Sequence, residues 1–259
     1  MARIVTPRSG WQRGERYDYL ASVERSIFAW EWLRRTPDYR RAWAQSRGEL
    51  IAGQTRLAAR FGLLKLIAPS LSGAEARPIW AETVDPRVLH AVPGEAIAQA
   101  DRINLWQLRR WAAAIVIDDL EHWRFGDQRF SIRIDLRCGT LLGGEAALAF
   151  RLDGLARLAP KVAALDLLVR LAGRPDAPPA VPAERRAARW IAELRVADAL
   201  AAGARQQEMA RVLLGPAVLR DGWREAGEIH RLRIQRLVRS ARAHLAAPLA
   251  RLWFGRNVR

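Results

Sequence analysis

The stretch from Pro182 to Gly215, PAERRAARWIAELRVADALAAGARQQEMARVLLG, decides the fold of the C-terminal third. Pro182 stands where a helix can begin, and Ala187, Trp190, Ile191, Leu194 and Ala197 recur at helical spacing as one apolar stripe. Gly203 ends that helix, because glycine enters the left-handed conformation of a helix terminus without steric cost. GARQQEMARVLLG then reads as a short second helix burying Met209, Val212 and Leu213. After a further loop comes GEIHRLRIQRLVRSARAHL, Gly227 to Leu245, with five arginines and two histidines. Helix, tight glycine turn, short helix and basic helix follow the order of a helix-turn-helix DNA reader.

The basic segment divides cleanly when drawn as a helix. At about 100° per residue, Ile234, Leu237, Val238, Ala241 and Leu245 share one side and are expected to dock on the two preceding helices. Opposite them cluster Glu228, Arg231, Leu232, Gln235, Arg239 and Arg242, with Arg233 and Arg236 on the flank. In a major groove, Arg and Gln read purine edges and Glu accepts from cytosine, so Glu228, Arg231, Gln235, Arg239 and Arg242 are the base-reading candidates. Arg233 and Arg236, with Arg205 and Gln206 at the start of the short helix, are the phosphate-contact candidates. A solvated helix face normally mixes both signs of charge, whereas no Asp or Glu occurs from Ile229 to Arg259. A membrane-surface helix would present large apolar side chains, but this apolar side is Ala, Val, Ile and Leu of core size.

Composition supports a polyanion-binding surface. The 259 residues carry 43 Lys and Arg against 27 Asp and Glu, a net charge of +16. Residues 1–60 hold a net +6, residues 61–182 a net +1 and residues 183–259 a net +9. An excess concentrated at the termini marks them, and chiefly the last third, as the parts that meet an anionic partner. Nearly all the basic residues are Arg, a preference that a GC-rich genome also produces, so the excess is the informative quantity.

Elsewhere the chain reads as mixed structure. Tyr17, Leu20, Val23, Ile27, Trp30 and Leu33 recur at helical spacing, and Thr36-Pro37 ends that helix and caps a second. Trp32, Tyr39 and Trp43 could stack on bases, but their spacing favours a small helical core. INLWQLRRWAAAIVIDDLEHW is expected to be a helix with Leu105, Leu108, Ala112 and Ile115 on one face. RFSIRIDLR, Arg129 to Arg137, alternates as a half-buried strand, with ALAFRLDGL as its partner and CGTLLGGE as the hairpin turn between them. Ala159 to Gly173 returns to helix, and RPDAPPAVPAE is a proline-rich connector. The expected fold is α+β and mainly helical: an N-terminal helical hairpin, a small antiparallel β-meander and a C-terminal helix-turn-helix. The expected domains are residues 1–60, 61–180 and 181–259.

Signatures of catalysis are sparse. GxSxG, HExxH and GxxxxGK[ST] are all missing. One cysteine and four histidines cannot build a usual structural zinc site, and no cofactor or metal is expected. DDLEH, Asp118 to His122, could bind a metal or move protons, but reads better as a polar helix end. No secretory signal or membrane-spanning run is visible, so the expected location is cytoplasmic.

Two resemblances bear on these readings. YDYLASVERSIFAWEWLRRTPDYRRAW, Tyr17 to Trp43, resembles the N-terminal transcriptional regulator-like domain of many proteobacterial proteins. FSIRIDLRCGTLL, RLDGLARLAPKVAALDLLVRL and LVRSARAHL resemble the RovC-type DNA-binding domain of type VI secretion regulators, formerly a domain of unknown function. RRAARWIAELRVADALAAGARQQEMARVLLG and LRIQRLVRSARA carry the second likeness most specifically. The resemblance implies a bacterial transcription regulator with a C-terminal helix-turn-helix, acting on double-stranded DNA as a homo-oligomer. Family members commonly have Ser where Arg205 stands, so the short helix here lacks a strong side-chain cap. The alternative is an RNA-binding or adaptor protein whose basic face docks a nucleic-acid complex or an acidic partner.

Overall fold

The computed structural model describes residues 10–216 and 228–254. Its helices are α1 (Arg25–Leu33), α2 (Pro37–Ser46), α3 (Ile51–Ala59), α4 (Gly73–Ala76), α5 (Leu105–Leu108), α6 (Leu158–Gly173), α7 (Ala187–Ala201), α8 (Gln206–Leu214) and α9 (Glu228–Ala246). Its strands are β1 (Leu89–Pro93), β2 (Arg102–Asn104), β3 (Ala112–Ile117), β4 (Leu120–Gly126), β5 (Ser131–Leu136) and β6 (Glu145–Arg151). The α+β class holds. Two units separate: Met1–Pro78 with Ala183–Trp253, and Ile79–Pro182 with Phe254–Arg259.

The first unit is built from two stretches of the chain that lie far apart in sequence. Thr36 caps α2 by accepting from the Tyr39 N–H at 3.4 Å, and Pro37 takes the first helical position, where its missing N–H costs nothing. α1 is apolar almost all round, and Ile27, Phe28, Trp30, Trp32 and Leu33 are buried on every side of it. A helix of that kind has to sit inside the fold. Phe28 meets Trp190 of α7 edge-on at 5.0 Å and stacks on Trp253 at 6.0 Å. Trp30 packs edge-on against Tyr39 at 5.3 Å. Trp32 and Tyr39 are fully enclosed, and Trp43 is half-buried, so these aromatics build a core.

The second unit is a six-stranded mixed sheet of order β2-β6-β1-β5-β4-β3. β1 runs parallel to β5, and the remaining neighbours are antiparallel. Leu89, Trp123, Phe125, Ile132, Ile134 and Leu136 form a core with Ala164, Leu168 and Leu171 of α6.

Four local readings differ from the structure. The stretch from Tyr17 to Leu33 is not one helix: Gly14–Ser22 is a 3-10 helix, Val23 and Glu24 are extended, and α1 starts at Arg25. The segment from Ile103 to Trp123 is not one helix: only Leu105–Leu108 is helical, and β3 and β4 follow as a hairpin. Asp118 and Asp119 have φ of 49° and 61°, the left-handed pair of a two-residue hairpin turn, which Asp tolerates well. Helical spacing of Leu105, Leu108, Ala112 and Ile115 was outweighed by the β-branched run Ile115–Ile117 and by pairing of β4 with β5. The strand at 145–151 does not pair with β5, because β1 lies between them; its neighbours are β1 and β2. CGTLLGGE is therefore a crossover loop, not a hairpin turn. The antiparallel meander consists of β3, β4 and β5.

Gly126 ends β4 at φ +134°, and a Cβ there would lie 2.2 Å from the Phe130 carbonyl oxygen. Gly126→Ala combines a backbone strain with a clash against main chain that cannot swing away. It should destabilise the protein by more than about 2 kcal/mol, read as a lowered urea midpoint.

Candidate nucleic-acid interface

The glycine turn forms as its sequence dictates. Gly203 adopts φ +76°, and the Ala204 N–H donates to the Ala199 carbonyl at 2.9 Å, closing the end of α7. α8 begins three residues later with Arg205 at its N-cap and no side-chain cap bond. Its first turn therefore presents N–H groups without a side-chain partner at the cap. Met209 and Ala210 are buried, whereas Val212 and Leu213 are only half-buried.

α9 packs on both α7 and α8. Ile234, Val238 and Ala241 are its buried residues, while Leu237 and Leu245 are half-buried. Glu228, Arg231, Arg233, Gln235, Arg236, Arg239 and Arg242 are all exposed, as are Arg205 and Gln206. Among the described residues, none of the five α9 arginines makes an ion pair. Gly227 and the loop ahead of it lie outside the described residues. Because the buried stripe centres on Ile234, Val238 and Ala241, the wheel places Arg236 and Arg239 near the middle of the outward arc. Arg233 and Arg231 mark its two sides. The single acid, Glu228, occupies the first turn, where the helix dipole favours negative charge.

What holds this arc in place is a set of buried charges that hydrophobic patterning did not reveal. Glu31 of α1 is fully buried. It accepts from Tyr19 Oη at 2.6 Å, Arg34 Nε at 2.8 Å and the Gly73 N–H at 2.7 Å, and also from Arg35. Arg35 in turn forks onto Asp198 of α7, with Nε 2.9 Å from Oδ1 and Nη2 2.8 Å from Oδ2. Tyr17 Oη donates to the same carboxylate at 2.7 Å. This paired geometry gives both strength and a fixed orientation. Further along α7, Glu193 is 99 % buried, faces His244 of α9 at 3.3 Å and accepts from Arg189 at 2.9 Å. The His244 ring lies 4.9 Å from Trp32 and 5.0 Å from Trp253. A signal was available in the sequence: Glu193 and Asp198 flank the apolar stripe of α7, where a solvated acid would be out of place.

Burial would raise the Glu31 pKa, but Arg34 and Arg35 outweigh it and hold the group at about 2, against an ordinary 4.5. A depressed carboxylate stabilises the fold above its unfolded value and loses that contribution as pH falls toward the folded one. The stability of this unit should therefore drop between about pH 4.5 and 2, by roughly 3 kcal/mol from this group. Thermal melting across that range should show the loss, and Glu31→Gln should flatten it. For Glu193, burial acts upward and the His244, Ser240 and Arg189 contacts prevail, holding it below the usual range.

The DDLEH cluster is dispersed by its strand. Asp118 and Asp119 lie in the turn, and Glu121 and His122 point to opposite faces, as strand neighbours must. Glu121 accepts from Trp123 Nε1 at 2.7 Å and the Leu141 N–H at 3.0 Å, while His122 Nδ1 meets Asp135 at 2.9 Å. Among the described residues there is no group of three or more His, Cys, Asp or Glu that could hold a metal ion. Nor is any described helix long and apolar enough to cross a membrane.

Two segments of the chain match known families. Residues 10–64 match the family described as a proteobacterial transcriptional regulator-like domain. Residues 148–247 match the family described as a type VI secretion system transcription-factor DNA-binding domain. The chain carries both regulator domains. Comparison with curated proteins and with solved structures gives no significant match. The first matched segment contains α1 to α3, and the second begins within β6 and runs through α9. The Arg35–Asp198 fork thus ties one family domain to the other inside a single unit.

Proposed function

We propose that this chain is a sequence-specific DNA-binding transcription regulator that lays α9 in the major groove of double-stranded DNA. The observation that carries the reading is the outward face of α9: five exposed arginines, no ion pair among the described residues, and an aliphatic underside packed on α7 and α8. A purely solvated helix would gain from intervening acids, and this one has none beyond its first turn. In this reading Glu228, Gln235 and Arg239 face base edges with Arg236, near the middle of the arc, and Arg231 and Arg242 reach base edges from its side. Arg233 contacts the backbone from the edge. Arg205 and Gln206, at a helix start without a side-chain cap, meet a phosphate through the N–H groups and dipole of α8.

The test begins with duplexes enriched from a random pool by the wild-type protein. Gln235→Ala should relax base preference, and Arg233→Ala should weaken enriched and random duplexes alike. If all such variants act equally on both duplexes, base reading by α9 is wrong. Stronger binding to structured RNA of matched length would favour an RNA-binding role instead.

A further inference from the structure

β3 is the last strand of its sheet, and β4 is its only ladder partner among the described residues. Its sequence, AAAIVI, contains no charge and no proline, the devices that usually protect an open edge. The opposite edge, β2, is three residues long and offers little to pair with. Register shows which groups of β3 are free. The Gly126 N–H donates to the Trp111 carbonyl at 2.9 Å, so Trp111 turns its peptide groups toward β4. By alternation Ala113, Ile115 and Ile117 do the same, and Ala112, Ala114 and Val116 turn theirs outward. The Val116 side chain is 59 % exposed.

The flanks select the occupant. Arg109 and Arg110 precede the strand, Asp118 and Asp119 follow it, and all four are exposed. Arg109, Asp118 and Asp119 make no ion pair among the described residues; Arg110 reaches the Pro175 carbonyl at 2.8 Å and lies 4.0 Å from Asp176. A strand that is basic at its start, neutral in its middle and acidic at its end matches an inverted copy of itself. A parallel copy would set like charges side by side.

We infer that the edge of β3 pairs antiparallel with β3 of a second copy of this chain, about a two-fold axis at Ala114. Outward-facing residues must oppose one another to exchange bonds. Ala114 therefore faces Ala114 of the second copy, and Ala112 faces Val116, giving three pairs that exchange two bonds each. The same register brings the Arg109–Arg110 end of each strand to the Asp118–Asp119 turn of the other. The contact is isologous and closes, so it stops at a dimer and does not propagate into a fibre. It stands independently of DNA binding, although a two-fold pair would suit paired half-sites.

The register makes a sharp test in the full chain. Cys138 is an exposed free thiol, so Cys138→Ser provides the background. Ala114→Cys then places two sulfurs across the axis, with Cα atoms about 5.5 Å apart, inside the range of roughly 4.4–6.8 Å that a disulfide spans. Val116→Cys sets its own pair about 13 Å apart along the strands. With oxidised glutathione, Ala114→Cys should form covalent dimer at least tenfold faster than Val116→Cys. Ala114→Pro, tolerated on an edge strand but blocking the central bonds, should convert the dimer to monomer in sedimentation velocity with unchanged circular dichroism. Arg109→Glu with Arg110→Glu should raise the dimer dissociation constant about tenfold without touching the strand. Equal cross-linking at both positions, a wild type that sediments as monomer at tens of micromolar, or charge-reversed protein that associates like wild type would overturn the inference.

Discussion

Asp198→Ala should lower the stability of the protein by roughly 3–5 kcal/mol. The reason is what remains behind. Arg35 is buried and forks onto Asp198 through two bonds, so deleting the carboxylate leaves a guanidinium with half its partners gone and no route to water. Tyr17 loses its acceptor at the same time. Urea denaturation of Asp198→Ala should show a strongly reduced midpoint, and Asp198→Asn should recover part of it by keeping one acceptor. Because the fork joins α1 to α7, the damage should reach the helices beneath α9. A C-terminal fragment lacking residues 1–78 should therefore melt without cooperativity. It would expose Trp190 and leave Asp198 unpaired.

The second large effect separates binding from stability. Arg233→Ala, Arg236→Ala and Arg239→Ala combined should weaken duplex binding about a thousandfold. Each lost phosphate or base contact is worth on the order of 1–3 kcal/mol, and the sites are only loosely coupled. Their stability should change by less than about 0.5 kcal/mol, since all three are exposed and make no ion pair among the described residues. It could rise slightly, because Arg233, Arg236 and Arg239 are like charges three residues apart on one helix. Loss of affinity with retained or improved melting temperature marks a face kept for a partner and not for the fold. A triple variant that melted several degrees lower would show these side chains to be structural.

Sequence patterning located α7, α8 and α9 because each buries a stripe at helical period and is bounded by Gly or Pro, signals that depend only on neighbours in the chain. It also found the arginine face of α9, since a missing carboxylate is visible in one dimension. It could not see that α1 lies against α7, because that proximity joins residues more than 150 positions apart, as in Phe28 and Trp190. For the same reason Arg35 does not announce its partner, which lies 163 positions away, whereas Glu193 carries a local signal as an acid beside the apolar stripe of α7. The middle of the chain misled for a different cause. Ala-rich segments such as Trp111–Ile115 satisfy helical and strand periods equally, and the Asp118–Asp119 turn with the β4 pairing chose between them. The strand at 145–151 was legible as a strand, but not its neighbours, since sheet order is set by long-range contacts that alternation does not encode.

The outward arginines of α9 are proposed to grip duplex DNA. The most direct measurement is the salt dependence of duplex affinity for wild type and for Arg236→Ala with Arg239→Ala, by fluorescence anisotropy. With about six phosphates neutralised, log K for wild type should fall against log salt with a slope of roughly −5, and the double variant should bind more weakly with a slope shallower by one or two. Wild-type affinity and slope retained in the double variant would place the DNA contact elsewhere on the molecule and remove α9 from the mechanism.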